Sequence, residues 1–255
     1  MSMCATIEYM TIPEATVETV GLLSRDRSRH SFYALTASVA RKETGEPFTP
    51  TSMLREAGFL IEPFWETPHD VEGDCYGAYI EQHPDFTLIT RRGVYERLRH
   101  ASSLLPGHWN IVLKAGFRPL EVQTSVLQAF IEESRVQHPS WSDEEHLAHA
   151  RLFVADPNVV CPPHTTGGAV DVDIKDKNTG QYIDMGCPIN TDDEIAFLHS
   201  DQLTSAQYEN RMTLLDTMLA AGFAPNVNEW WHYQYGETYW AAFYGHDETI
   251  YDSVA

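Results

Sequence analysis

Apolar residues recur at helical spacing from Arg91 to Leu105, where Val94, Leu98 and Leu105 share a side and Pro106-Gly107 ends the run. Trp109 to Leu113 alternates well enough for a strand. Pro119 suits the first position of a second helix, running through Val122, Val126, Leu127, Phe130 and Ile131 to about Val136. Ser142-x-x-Glu145 and Thr204-x-x-Gln207 are capping-box signatures. They predict a helix from Asp143 to about Phe153, and another through Met212, Leu215 and Leu219 that stops at Gly222. Between them Ala169 to Ile174 alternates, with Ala169, Asp171 and Asp173 on one face and Val170, Val172 and Ile174 on the other. The aromatic run from Trp230 to Tyr235 reads as a last strand. Interspersed helices and short strands predict an α+β fold, a single domain with a mainly antiparallel central sheet flanked by helices.

The first seventy residues are patterned less clearly. A helix is expected around Ser31 to Lys42, after which Pro47, Pro50, Pro63 and Pro68 punctuate an irregular connection. The expected organisation is an N-terminal extension, residues 1–70, packed on a main domain over residues 71–255. A chain of 255 residues with 43% hydrophobic content has the material for one core.

Charge and cysteine usage narrow the partners. Thirty-seven acidic against 17 basic residues leave a net charge of −20, which repels a polyanion and argues against nucleic acid. No stretch approaches the ~20 apolar residues that cross a bilayer, so no membrane partner is expected. Met1 to Met10 lacks the basic and apolar regions of a secretory signal, and Cys4, Cys75, Cys161 and Cys187 show no C-x-x-C spacing. Free thiols and a cytoplasmic location follow as expectations. No motif specifies an oligomeric state.

Two segments carry candidate chemistry. In His164-Thr165-Thr166-Gly167-Gly168-Ala169-Val170-Asp171 a histidine sits in a loop bracketed by Pro and Gly, and an aspartate on the strand that follows, so both can converge on one ion. Taken alone, the same residues also read as a loop histidine and an ordinary hydrogen-bonded acid. Glu229-Trp230-Trp231-His232 places an acid and an imidazole in a block too aromatic for a solvated surface, where polar groups need partners. Two imidazoles and a carboxylate are a usual set for catalytic zinc with a fourth position left for water, and Glu229 is then free to act as base. Zinc lowers the pKa of such a water to about 7, and a nearby carboxylate can collect the proton. A cation can share the charge that develops on a scissile carbonyl, and Arg118 in Gly116-Phe117-Arg118-Pro119 is the candidate.

These three motifs, in this order and spacing, resemble the D-alanyl-D-alanine dipeptidases within the zinc D-Ala-D-Ala peptidases of hedgehog-like fold. The likeness spans roughly Asp74 to Tyr235. It implies one Zn2+ per chain held by His164, Asp171 and His232, with Glu229 as general acid/base and Arg118 as transition-state cation. It also implies a confined site for a small dipeptide. Three substrate-side positions depart from the family: Pro162 stands where a serine is usual, Ala115 where the arginine motif begins with aspartate, and Asn190 near the acid that holds the substrate amine, with Asp192 and Asp193 close by. The metal chemistry is untouched by these changes, and the substrate is left open between a D-Ala-D-Ala-type dipeptide and the stem peptides cut by related carboxypeptidases and endopeptidases.

Two other classes compete. The facial triad of non-haem iron oxygenases also uses two histidines and a carboxylate, but with one residue between the first pair, where six separate His164 from Asp171. A zinc-binding recognition protein would have no use for both Glu229 and Arg118. His146 and His149, three apart beside Glu144 and Glu145, read as a solvated helix face rather than a second metal site. Asp173 is expected either to orient a ligand or to be an exposed acid, and at least one of Trp230 and Trp231 to be core.

Overall fold

The computed structural model describes residues 36, 38–66, 77–151, 154–191 and 193–254. Its elements are β1 (Phe48–Thr49), α1 (Thr51–Glu56), β2 (Leu60–Ile61), α2 (Gly77–Gln82), β3 (Thr90–Arg91), α3 (Arg92–Leu104), β4 (Trp109–Ala115), α4 (Leu120–Gln137), α5 (Asp143–Ala150), β5 (Ala169–Asp176), α6 (Ser205–Ala220), β6 (Ala224–Pro225), β7 (His232–Gln234) and α7 (Thr238–Tyr244). Five strands form the main sheet in the order β2-β4-β5-β7-β6, and β1 pairs with β3 apart from it. Every pairing is antiparallel except β2 with β4. The α+β fold expected from the sequence is the one observed.

One face of β4 and β5 is the core. Ile111, Leu113, Val170, Val172 and Ile174 are fully buried there with Val94 and Leu98 of α3 and Leu214 and Met218 of α6. Each such aliphatic side chain contributes roughly 1.5–3 kcal/mol by leaving water. The register then decides the other face: Val172 lies opposite Leu113 in the core, so Asp171 falls on the opposite side, with His232 of β7 beside it. A bulge between Leu113 and Ala115 brings Ala115 opposite Asp171 as well.

Both capping boxes form, Ser142 with Glu145 and Thr204 with Gln207. Pro119 caps α4 rather than occupying its first turn, and the last strand is shorter than the aromatic run, covering His232–Gln234 only. Of the helix expected at 31–42 the structure describes Thr36, which is helical, and residues 38–42, which are not. Ala40 bridges Glu248, and its amide and carbonyl bond Asp247 and Thr249. The remainder of that helix, apart from Thr36, lies outside the described residues, as do Phe153, Asp192, Cys4 and Cys75. Residues 48–66 share the main core through Leu54, Phe59, Ile61 and Phe64, and β2 forms an edge of the main sheet.

Candidate active site

His164 lies in a 3-10 turn over Pro163–Thr166 that Gly167 ends in the left-handed conformation, φ 74°. The turn closes on itself through the Thr165 and Thr166 hydroxyls, which donate to the Pro162 and Pro163 carbonyls. Gly168 follows because a Cβ there would collide with the Tyr235 carbonyl. The arginine motif runs alongside. His164 Nδ1 lies 2.8 Å from the Gly116 carbonyl, and the Arg118 amide donates to the His164 carbonyl at 3.1 Å. A carbonyl only accepts, so Nδ1 carries the proton and Nε2 offers its lone pair.

That lone pair faces the other donors. His164 Nε2 lies 3.2 Å from His232 Nδ1 and 3.4 Å from Asp171 Oδ2, and His232 Nδ1 lies 2.9 Å from Asp171 Oδ1. All three residues are buried, with donor atoms within 4.8 Å of one another. Two nitrogens and a carboxylate oxygen drawn together out of water fit a divalent cation of the zinc type. Burial lowers the His164 pKa, reinforced by nearby Arg118 and His232 and opposed by Asp171. Burial acts on His232 in the same sense, but the Asp171 hydrogen bond and charge, with Glu229 and Glu237, raise it above its ordinary value. Burial would raise Asp171, yet the two imidazoles hold it far below the usual carboxylate range. The electrostatics therefore favour an ionised carboxylate beside an imidazole with a free lone pair.

Glu229 stands at the edge of this cluster, its Oε2 3.9 Å from His232 Nδ1 and its side chain 26% exposed. Asn226 Nδ2 donates to the same oxygen at 2.7 Å, and the Glu229 amide donates to the Asn226 carbonyl. Arg118 is half-buried, and its Nη1 donates to Gln123 Oε1 at 3.0 Å. Gln123 is buried and donates in turn to the Ala155 carbonyl. The structure thus brings His164, Asp171 and His232 together, with Glu229 beside them and Arg118 joined to the His164 turn.

The substrate-side positions differ from one another. Ala115 is fully buried opposite Asp171, so no acid stands there. Pro162 precedes the 3-10 turn. Asn190 is exposed with φ 60°, a left-handed conformation that asparagine tolerates, and Asp193 caps a short turn by accepting from the Ile195 amide. Asp173 accepts from the Ile174 amide, and both Trp230 and Trp231 are core. His146 is buried rather than solvated, with its Nδ1 2.9 Å from the Ser134 hydroxyl. The wet face expected from the sequence belongs to its acidic neighbours, Glu144 and Glu145, which are exposed.

Sequence reasoning missed the braces. Arg91, 4% exposed, donates to the Thr166 carbonyl and the Glu46 carbonyl and pairs with Glu43. Arg211 and Gln123 are buried on helices whose apolar stripes they share, Arg211 four residues before Leu215 and Gln123 four before Leu127. A polar residue in a core-facing position was the available signal.

An antiparallel-rich sheet carrying a buried His-Asp-His cluster, with a carboxylate at its rim, has the make-up of a metal-dependent hydrolase. The family described as D-ala-D-ala dipeptidase, peptidase M15, matches residues 77–251. The chain belongs to this family of peptidases. It is 27% identical to a D-alanyl-D-alanine dipeptidase of Synechocystis sp. over 84% of this chain and 92% of that one. To a protein of the same name from Enterococcus faecalis it is 22% identical, over 69% and 89%. A solved structure of VanYB in complex with D-Alanine-D-Alanine is similar at 17% identity and a TM-score of 0.40, over 62% of this chain and 80% of that one.

Proposed function

We propose that this peptidase hydrolyses a D-Ala-D-Ala-type dipeptide at a single zinc ion held by His164, Asp171 and His232. The observation that carries the reading is the meeting of those three donors within 4.8 Å, one from a loop and two from adjacent strands. Zinc, when bound, supplies a Lewis acid that makes water acidic and polarises a carbonyl. The chain's own groups do the rest. Gly116 holds the His164 ring so that Nε2 points inward, and Asp171 stays ionised between the imidazoles. Glu229 takes the proton of the attacking water and delivers it to the departing amine nitrogen, held for both tasks by Asn226. Arg118 offers its guanidinium to the oxyanion, with Gln123 limiting its swing. The family relatives named for D-alanyl-D-alanine support the substrate class, and Ala115 and Asn190 are the positions at which this chain's preference is expected to differ. The division into an extension, residues 1–70, and a catalytic domain, residues 71–255, is part of the same proposal. Among the described residues no helix is long and apolar enough to cross a membrane. A cytoplasmic pool of small peptides is the proposed setting.

The test is amino-acid release from D,D, L,D, D,L and L,L dipeptides and from longer stem peptides, with the zinc-loaded protein and with Glu229→Gln. Turnover of free D,D-dipeptides, with kcat at least ~10²-fold lower in Glu229→Gln at unchanged zinc content, is expected. Release from stem peptides alone would move the assignment to a carboxypeptidase or endopeptidase. No release by either protein would leave a zinc-binding recognition protein.

A further inference from the structure

After Trp230, the largest fully buried side chain among the described residues is a charged one, Arg211 of α6. A guanidinium out of water requires acceptors around its whole fork. Arg211 finds them in backbone: Nε donates to the Met185 carbonyl at 2.7 Å, Nη1 to Phe197 at 2.6 Å and Nη2 to Ile195 at 2.9 Å. Cys187 Sγ lies 3.5 Å from Nη2, and the guanidinium carbon sits 5.6 Å from the centre of the Trp230 ring. All four of these acceptors belong to the connection between β5 and α6. Its regular structure among the described residues is one short 3-10 turn, Glu194–Ala196.

This connection is bonded to the Glu229 turn. Between two of the carbonyls that Arg211 gathers, the Ala196 carbonyl accepts from the Trp230 amide at 3.1 Å. One residue past the other, the Leu198 amide donates to the Val227 carbonyl at 3.0 Å. Glu229 lies between Val227 and Trp230, so its backbone is tied on both sides to a segment that Arg211 ties to the helix. Asp171 and His232 are also fixed by the β5–β7 register, a second support that the Glu229 side chain lacks, although the His232 amide donates to the Glu229 carbonyl at 3.1 Å and its carbonyl accepts from the Asn226 amide.

We infer that Arg211 is a positioning residue for Glu229, aiming the carboxylate from beneath without touching the metal donors. The inference rests on the reading of Glu229 as the proton carrier. A leucine or methionine of similar volume would fill the core but leave the Met185 and Ile195 carbonyls unpaired and the Phe197 carbonyl with the Ser200 amide alone, and a lysine has one nitrogen where three separated carbonyls must be met. The expected consequence is a fault in proton transfer alone.

The experiment is a double-mutant cycle on the zinc-loaded full chain, using the dipeptide turned over fastest in the panel. Arg211→Lys and Arg211→Gln are each made in the wild-type and Glu229→Gln backgrounds. In the wild-type background kcat should fall by ~10-fold or more while KM stays within ~3-fold and zinc content is unchanged. In the Glu229→Gln background the same substitutions should change kcat by less than ~2-fold, because the group that Arg211 aims is already gone. Equal fold-losses in both backgrounds, loss of zinc, or failure of both variants to fold by circular dichroism would overturn the inference and make Arg211 a residue of the fold. Wild-type kcat in Glu229→Gln alone would remove the reading of Glu229 itself, a result distinguishable from additive losses.

Discussion

The loop from Pro162 to Gly168 and the turn from Asn226 to Trp231 each bring one working side chain to the same cluster, His164 from the first and Glu229 from the second. The loop is braced from many directions. Its own threonines close it, Arg91 holds the Thr166 carbonyl, and the C-terminal segment adds the Val254 amide and the Ser253 hydroxyl on Thr165. The turn leans on Asn226 and on the connection under Arg211, and its acid keeps a quarter of its surface in water where His164 keeps 7%. The difference follows the work. A ligand must be desolvated and set in place before the ion arrives, since ordering it afterwards costs binding energy. A proton carrier must exchange with solvent on every turnover and needs aim more than enclosure.

The sharpest way to break this contrast is to remove the ligands. Alanine at His164, Asp171 or His232 should abolish most zinc binding and lower activity by more than the ~10²-fold that an outer partner costs. Metal analysis checks this, and stoichiometric zinc in all three variants would mean that the wrong donors are named. Arg118→Lys keeps the charge but loses the planar fork that Gln123 steadies, so kcat/KM should fall by ~10²-fold at normal zinc content. A kcat/KM unchanged in that variant would take Arg118 out of the reaction.

Arg91→Met tests the loop's bracing, and with it the tie to Glu43 and Glu46. Losing the hydrogen bond to the Thr166 carbonyl should weaken zinc affinity by ~10-fold in a chelator competition, with kcat at saturating zinc within ~3-fold of wild type. A kcat loss with zinc affinity intact would reverse the assignment of the two halves.

The smallest effect concerns the segment under Gln123. Burial pushes the Asp156 carboxyl up, but the Asn158 amide and the Arg151 guanidinium bring it below its ordinary value. A folded-state pKa below the unfolded one means that the unfolded chain binds more protons in between. The contribution is therefore complete above about pH 4 and drains away as pH falls through the depressed folded value. Asp156→Asn should cost ~1–2 kcal/mol in urea unfolding at pH 7, with the gap to wild type closing as pH falls below 4. A gap constant with pH would assign the loss to packing.

Much was legible in the amino-acid sequence because it depends on near neighbours. Both capping boxes span four residues, the α3 stripe repeats every three or four residues, and the alternation of Val170, Val172 and Ile174 with Asp171 depends only on the pleat. Those local rules, with the three motifs, were enough for the α+β class, the family and the candidate ligands. The helix expected at 31–42 includes the helical Thr36 but does not extend over residues 38–42, because Ala40 is tied to residues more than two hundred positions away, which no local pattern encodes.

Tertiary structure alone decided how the motifs meet. His164 and His232 are 68 residues apart and come within 3.2 Å because β7 pairs with β5 in a register that sets His232 opposite Asp171. A slip of one residue would turn either side chain away into the core. The bulge that brings Ala115 beside Asp171, the Gly116 carbonyl that orients His164, and the carbonyls gathered by Arg211 all arise from backbone groups, which every residue carries alike. A sequence names side chains and their spacing. Which amides and carbonyls are left to hold those side chains in place is settled only when the sheet has closed and water has been driven from its faces.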